Sequence, residues 1–131
     1  MDEGWCYEIV RRCRWRDGVT CVRCGSRRVT VHTRPRSGPR LKYLCVECRR
    51  VFNDLTGTVF AGSNLPLRKW MLGLSLMPLA LSTGEYAKRV GVKWDTARRM
   101  SRRLLAASTA PGLVRDLLSA LQSATAVVTG R

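Results

Sequence analysis

Apolar residues along this chain change their spacing twice. Over residues 2–13 they recur at helical intervals: Trp5, Cys6, Ile9, Val10 and Cys13 share one face, with Glu3, Glu8, Arg11 and Arg12 elsewhere, so a short N-terminal helix is predicted. From Val29 the period becomes two. Val29-Thr30-Val31-His32-Thr33 is alternating and β-branched, which predicts a strand, and Leu41-Lys42-Tyr43-Leu44 and Arg50-Val51-Phe52 predict two more. Between the first two lies Arg34-Pro35-Arg36-Ser37-Gly38-Pro39-Arg40, a turn-forming segment rich in cations.

From Pro66 the helical period returns. Pro66 suits the first turn of a helix carrying Leu67, Trp70, Met71, Leu74 and Leu76, with Pro78 near its end. Ser82-Thr83-Gly84-Glu85 has the form of a capping box, Ser82 as N-cap and Glu85 reaching back. A short helix over residues 85–89 then stops at Gly91, and a third runs over residues 94–105. Short helix, glycine turn and longer helix form the outline of a helix-turn-helix. Residues 106–112 read as a linker. A last amphipathic helix over residues 113–121 carries Leu113, Leu117, Leu118 and Leu121 on one stripe, open to packing on the core or to a second copy of the chain. Residues 125–131 read as a frayed end.

Charge changes the picture. The 131 residues hold 24 Lys and Arg against 9 Asp and Glu, a net +15. Residues 21–50 contain nine bases and only Glu47 as an acid, while residues 84–104 contain seven bases against Glu85 and Asp95. Two separated basic blocks imply two contact surfaces for an anionic partner, foremost nucleic acid. On the third helix Arg98, Arg99, Arg102 and Arg103 lie opposite Ala97, Met100 and Leu104. Like charges four residues apart repel, a cost that a bound polyanion removes. No targeting or membrane segment is expected: the N-terminus is acidic, and the apolar run over residues 70–81 is short and contains Pro78.

The chemistry with the narrowest meaning is two Cys-x-x-Cys pairs, Cys21-Val22-Arg23-Cys24 and Cys45-Val46-Glu47-Cys48. Four thiolates at this spacing suit one tetrahedral structural Zn²⁺, and a shell closed by four cysteines leaves no open position for catalysis. Cys6 and Cys13 are read as buried thiols, since no further ligands remain for them. His32 is read as a plain strand residue. A phosphate-binding loop over residues 54–62 is discounted, because the Gly-Lys-Ser/Thr ending is missing. Metal-type cysteines without a secretory signal point to a reducing, cytoplasmic setting close to the nucleoid.

At this level the chain resembles a known group. Arg14-Trp15-Arg16-Asp17-Gly18, the first cysteine pair with Gly25-Ser26, Tyr43-Leu44 with the second pair and Arg49, Thr56-Gly57-Thr58-Val59-Phe60 and Leu67-Arg68-Lys69-Trp70 resemble the N-terminal zinc-ribbon region of a family of prokaryotic insertion-sequence transposases. The run from Gly91 through Lys93, Trp94 and Asp95 to Met100 is similar to the helix-turn-helix that follows it there. The likeness spans roughly residues 5–104 and departs from the family at Val22, where Pro is frequent. It implies two DNA-binding modules. No counterpart of the family's acidic-triad nuclease domain is expected within residues 1–131, since after Arg103 the only acid is Asp116.

The expected fold is therefore a small α+β chain: a four-cysteine zinc ribbon followed by a three-helix helix-turn-helix domain, with a short N-terminal helix and a C-terminal helix. The expected divisions are residues 1–53, a connector over 54–65, the helix-turn-helix over 66–105 and the remainder over 106–131. The expected function is non-enzymatic, zinc-dependent binding of double-stranded DNA by a transcription regulator, a chromatin-type protein or a transposase-derived factor. Lys93, Trp94, Asp95, Thr96, Arg98 and Arg99 would stand near base edges or flanking phosphates, and Arg102 and Arg103 on phosphate. Arg27, Arg28, Arg34, Arg36, Arg40 and Lys42 would hold adjacent backbone. The alternative is a basic ribbon protein associated with the ribosome or RNA polymerase, binding RNA or protein. Trp70, Phe52 and Phe60 count against it, because they read as core and not as platforms for bases.

Overall fold

Asp2 starts the first helix by accepting a hydrogen bond from Trp5 N at 2.7 Å. In the computed structural model, which describes residues 2–32 and 38–128 but not the side chains of 124–128, that helix (α1) is Glu3–Arg14. Glu3 in its first turn and Arg11, Arg12 and Arg14 in its last complement the helix dipole. The expected face is largely confirmed: Cys6 and Val10 are buried, and Trp5, Ile9 and Cys13 are half-buried. Tyr7 is buried as well, although the helical pattern did not mark it.

The chain divides into two units, Met1–Gly62 and Ser63–Arg131. In the first, β1 (Val29–Val31), β2 (Lys42–Cys45) and β3 (Val51–Asn53) form an antiparallel sheet in chain order. The register sets Tyr43 opposite Phe52 and Val29 opposite Cys45. Tyr43 and Phe52 are 2 % exposed, and Trp15 meets both edge-on, with centroids 6.1 and 6.2 Å away. These rings, with Cys21 and Cys45, make the core of the unit.

Asp54 is the one charged group buried among the described residues, at 0 % exposure. Its carboxylate accepts from Arg11 Nη1 and Leu41 N at 2.9 Å each, from the Tyr43 hydroxyl, and from Trp15 Nε1 at 3.4 Å. Arg14 donates to the carbonyls of Asp54 and Thr56 while its guanidinium lies 4.4 Å from the Trp15 ring centroid. One carboxylate thus joins α1 to β2 and to the start of the segment after β3. Burial, then the bond to Asp54, pushes the Tyr43 hydroxyl above its ordinary range, so it remains a donor. In the sequence Asp54 looked like the first residue of a polar loop; its role depends on partners 11 to 43 positions away.

The second unit is helical: α2 (Leu67–Leu76), a 3₁₀ turn (Met77–Leu79), α3 (Thr83–Val90), α4 (Trp94–Ser108) and α5 (Leu113–Val128). Pro66 lies just ahead of α2, and Pro78 sits in the 3₁₀ turn. Ser82 caps α3 by accepting from Glu85 N at 3.2 Å, while the Glu85 carboxylate accepts from Arg89 Nε at 3.1 Å. Gly91, with φ of 81°, closes α3 in the left-handed conformation that glycine adopts most cheaply. Gly73 on α2 lets α3 come close, because a Cβ there would collide with the Tyr86 hydroxyl.

Three helices are longer than their patterns. α3 starts at Thr83, directly after its Ser82 cap, and ends at Val90, beyond the expected 85–89. α4 continues through Ala106, Ala107 and Ser108, in the segment expected to be linker, because alanine extends a helix readily; it ends at its C-cap Thr109, two residues ahead of Pro111. α5 runs to Val128, past the last leucine of its stripe and into the segment expected to fray. Residues 129–131 lie outside the described residues. Leu117 and Leu121 are buried, along with Val114, in a unit where α5 packs on α2 and α4. Leu113 and Leu118 stay half-buried. No single helix among the described residues is long and apolar enough to cross a membrane.

Candidate metal centre and cationic helix face

Both cysteine pairs are built alike. Gly25 N donates to Cys21 O at 3.0 Å and Arg49 N to Cys45 O at 2.9 Å. Cys21 N donates to Ser26 O at 2.9 Å and Cys45 N to Arg50 O at 3.0 Å. The residue after each pair has positive φ, 75° at Gly25 and 67° at Arg49. Within each turn backbone N–H groups point at sulfur: Cys24 N at Cys21 Sγ and Cys48 N at Cys45 Sγ, both at 3.5 Å. Donors aimed this way stabilise thiolate over thiol.

The two turns bring four sulfurs together. Sγ atoms of Cys21, Cys24, Cys45 and Cys48 all lie within 4.8 Å of one another. Cys21 and Cys48 are 3.5 Å apart, and Cys24 and Cys45 are 3.6 Å apart. Tetrahedral coordination with metal–sulfur bonds of about 2.3 Å sets sulfurs roughly 3.8 Å apart, so the group is the right size for one metal ion. The thiols respond unequally to this crowding. The Cys24 backbone N–H foremost, with those of Arg23 and the neighbouring sulfurs, lowers Cys21 to about 6. At Cys24 the Ser26 backbone N–H pulls down, but desolvation and the adjacent sulfurs prevail and push it up to about 12. Holding all four as thiolates at this separation would take a cation among them, and the group is one that could bind a metal ion. Cys6 and Cys13 are not part of this group.

The predicted contact residues of the first unit fare differently. Arg27 is exposed and donates to Asp17 O at 3.0 Å, and Arg28 forms an exposed ion pair with Glu47 at 3.1 Å. Arg40 and Lys42 are exposed. Arg34 and Arg36 lie outside the described residues. Arg23, Arg49 and Arg50, exposed around the cysteine turns, were not singled out from the sequence, although their adjacency to the pairs was the available signal.

On α4 the residues expected at a contact surface share one exposed side. Lys93, Trp94, Asp95, Arg98, Arg99, Arg102 and Arg103 are exposed, and Thr96 is half-buried. Ala97, Met100 and Leu104 are buried at 0 to 1 % exposure on the other side. Asp95 is the only acid on the helix, and among the described residues none of the four arginines pairs with a carboxylate. The approach to this helix is fixed by Lys69 of α2, whose Nζ donates to Gly91 O at 2.7 Å. That bond places an ammonium at the negative end of α3 and ties down the three-residue turn into α4.

The chain is 38 % identical over 112 residues to an uncharacterized protein in transposable element ISH50 of Halobacterium salinarum (strain ATCC 700922 / JCM 11081 / NRC-1). The match takes in 85 % of this chain and 37 % of the relative, so the chain spans little more than a third of that protein's length. The similarity supports a mobile-element origin. No family model matches the chain, and no solved structure does.

Proposed function

We propose that this chain is a duplex-DNA-binding protein of mobile-element origin, in which a zinc ribbon and a helix-turn-helix act without an enzymatic step of their own. The observation that carries the reading is α4: four exposed arginines on one side, unopposed except by Asp95, on a helix entered through a tight glycine turn from α3. Such a face is costly in isolation and suited to phosphate. In this reading α3 and α4 are the helix pair, and α4 enters the major groove with its N-terminal residues toward the base edges.

The four-sulfur group supports zinc in particular, because an all-thiolate tetrahedral set is soft, closed and typical of structural zinc. Bound there, the ion would hold the two cysteine turns and the sheet between them, leaving Arg23, Arg27, Arg28, Arg40 and Lys42 to grip backbone. Trp70, Phe52 and Phe60 are buried at 2 to 3 % exposure, which disfavours the RNA reading.

The test is electrophoretic retardation by the purified, zinc-loaded chain. Duplex DNA is expected to be shifted and to resist competition by structured RNA. RNA that displaces the duplex at lower concentration would reverse the assignment.

A further inference from the structure

We propose that Trp94 and Arg98 form one reading unit that selects a 5-methylpyrimidine beside a guanine in the major groove. This inference rests on the duplex-DNA reading and names the base step it would prefer.

Trp94 opens α4 and is 49 % exposed, an expensive placement for the largest apolar side chain in a unit whose core is already served by Trp70. One turn later, the Arg98 guanidinium carbon lies over the indole, 5.5 Å from the ring centroid. The stack restrains the arginine before any partner arrives and so reduces the side-chain entropy lost on binding. Phosphate gripping alone would not call for the indole, since the electron-rich ring face repels an anion. A base step matches both groups. The guanidinium fork fits O6 and N7 of guanine, and an apolar ring edge fits the C5 methyl of a neighbouring pyrimidine. The position agrees, because the first residues of a recognition helix are those that reach base edges. A single-stranded base stacked on Trp94 fits less well, because Arg98 already covers one face of the ring.

The C5 methyl is shared by thymine and 5-methylcytosine, so the experiment uses both. Zinc-loaded full-length protein is selected on duplexes with a randomised core, prepared with thymine, with deoxyuridine in its place, or with 5-methylcytosine for cytosine. Binding to the enriched sequence is then measured, and 7-deazaguanine is substituted in that sequence. Wild type is expected to enrich a methylpyrimidine–guanine step, to lose about fourfold in affinity on deoxyuridine and about tenfold or more on 7-deazaguanine. Methylating cytosine at the same position should restore the deoxyuridine loss. Trp94→Ala, with the helical signal and melting midpoint of wild type, should still bind duplex but no longer distinguish thymine from deoxyuridine. Arg98→Ala should lose the guanine preference. Duplex binding indifferent to the methyl and to N7 would overturn this inference and leave DNA binding intact. Tight binding only to single strands would overturn both.

Discussion

Arg11, on the last turns of α1, places its guanidinium 2.9 Å from the Asp54 carboxylate, beyond the third strand. Asp54 is fully buried and Arg11 is 25 % exposed, so the pair seals the edge of the first unit. Removing the carboxylate strands four donors at once: Arg11, Tyr43, Trp15 and the Leu41 amide. Asp54→Ala is therefore expected to cost about 3–5 kcal/mol. Arg11→Ala should cost less, since three donors remain on the carboxylate, and exposed Arg12→Ala should cost almost nothing. Thermal unfolding of the metal-loaded protein checks the order. The pair also decides which arginine serves as a control for DNA binding: Arg12 is suitable, and Arg11 is not.

Metal removal should act on the first unit alone. Its sheet is three strands of three or four residues, with a core of a few rings around the cysteines. Folding of so small a unit would be coupled to a metal held by its four cysteines. With a strong chelator, amides over residues 21–52 should lose hydrogen-exchange protection while those of α2 to α5 keep theirs. Unchanged protection in the ribbon would refute a structural metal.

Gly73 and Tyr86 form a second exacting contact. Gly73→Ala should cost about 1–3 kcal/mol by overpacking against the phenol. The Tyr86 hydroxyl is buried and has no hydrogen-bond partner among the described residues. Tyr86→Phe should therefore be neutral or stabilising by about 1 kcal/mol, and should offset part of the Gly73→Ala loss. Burial pushes Tyr86 up to about 12, above its unfolded value near 10. The neutral hydroxyl is thus favoured in the fold: its contribution is complete below pH 10 and lost as pH rises toward 12. Chemical denaturation at pH 9 and pH 11 should show a smaller alkaline loss for Tyr86→Phe than for wild type.

The turn before α4 offers a cleaner separation of binding from folding. Lys69→Met removes the ammonium from Gly91 O but keeps the aliphatic stem. Loss of one partly exposed, charge-assisted bond should lower stability by about 1 kcal/mol. If Lys69 also sets the aim of α4, duplex affinity should fall more steeply than stability does, which parallel melts and titrations would reveal.

Features set by local chemistry were legible in the sequence. The cysteine turns follow from spacing, α3 from Ser82 and Gly91, and the buried side of α4 from Ala97, Met100 and Leu104. What stayed hidden depends on distant partners or on weak local signals. Asp54 looks like any turn aspartate until Tyr43 and Arg11 are brought to it. Tyr7 lies off the marked face of α1 and is buried by tertiary packing. The extra turn of α4 comes from Ala106, Ala107 and Ser108, whose composition suggests linker while their backbone tolerates helix, and α5 continues beyond Leu121 through residues too weakly patterned to mark a helix.

The central claim is electrostatic contact between α4 and duplex phosphate, and its most direct test is the salt dependence of binding. Log affinity should fall linearly with log salt, and Arg98→Ala/Arg99→Ala should flatten the slope by about 1.8 if both arginines neutralise phosphates. If Arg98 reads guanine instead, the flattening should be about 0.9, with a larger loss of affinity. Arg12→Ala should leave slope and affinity as in wild type. A slope unchanged by the double substitution, or equal losses from Arg12→Ala, would contradict the account.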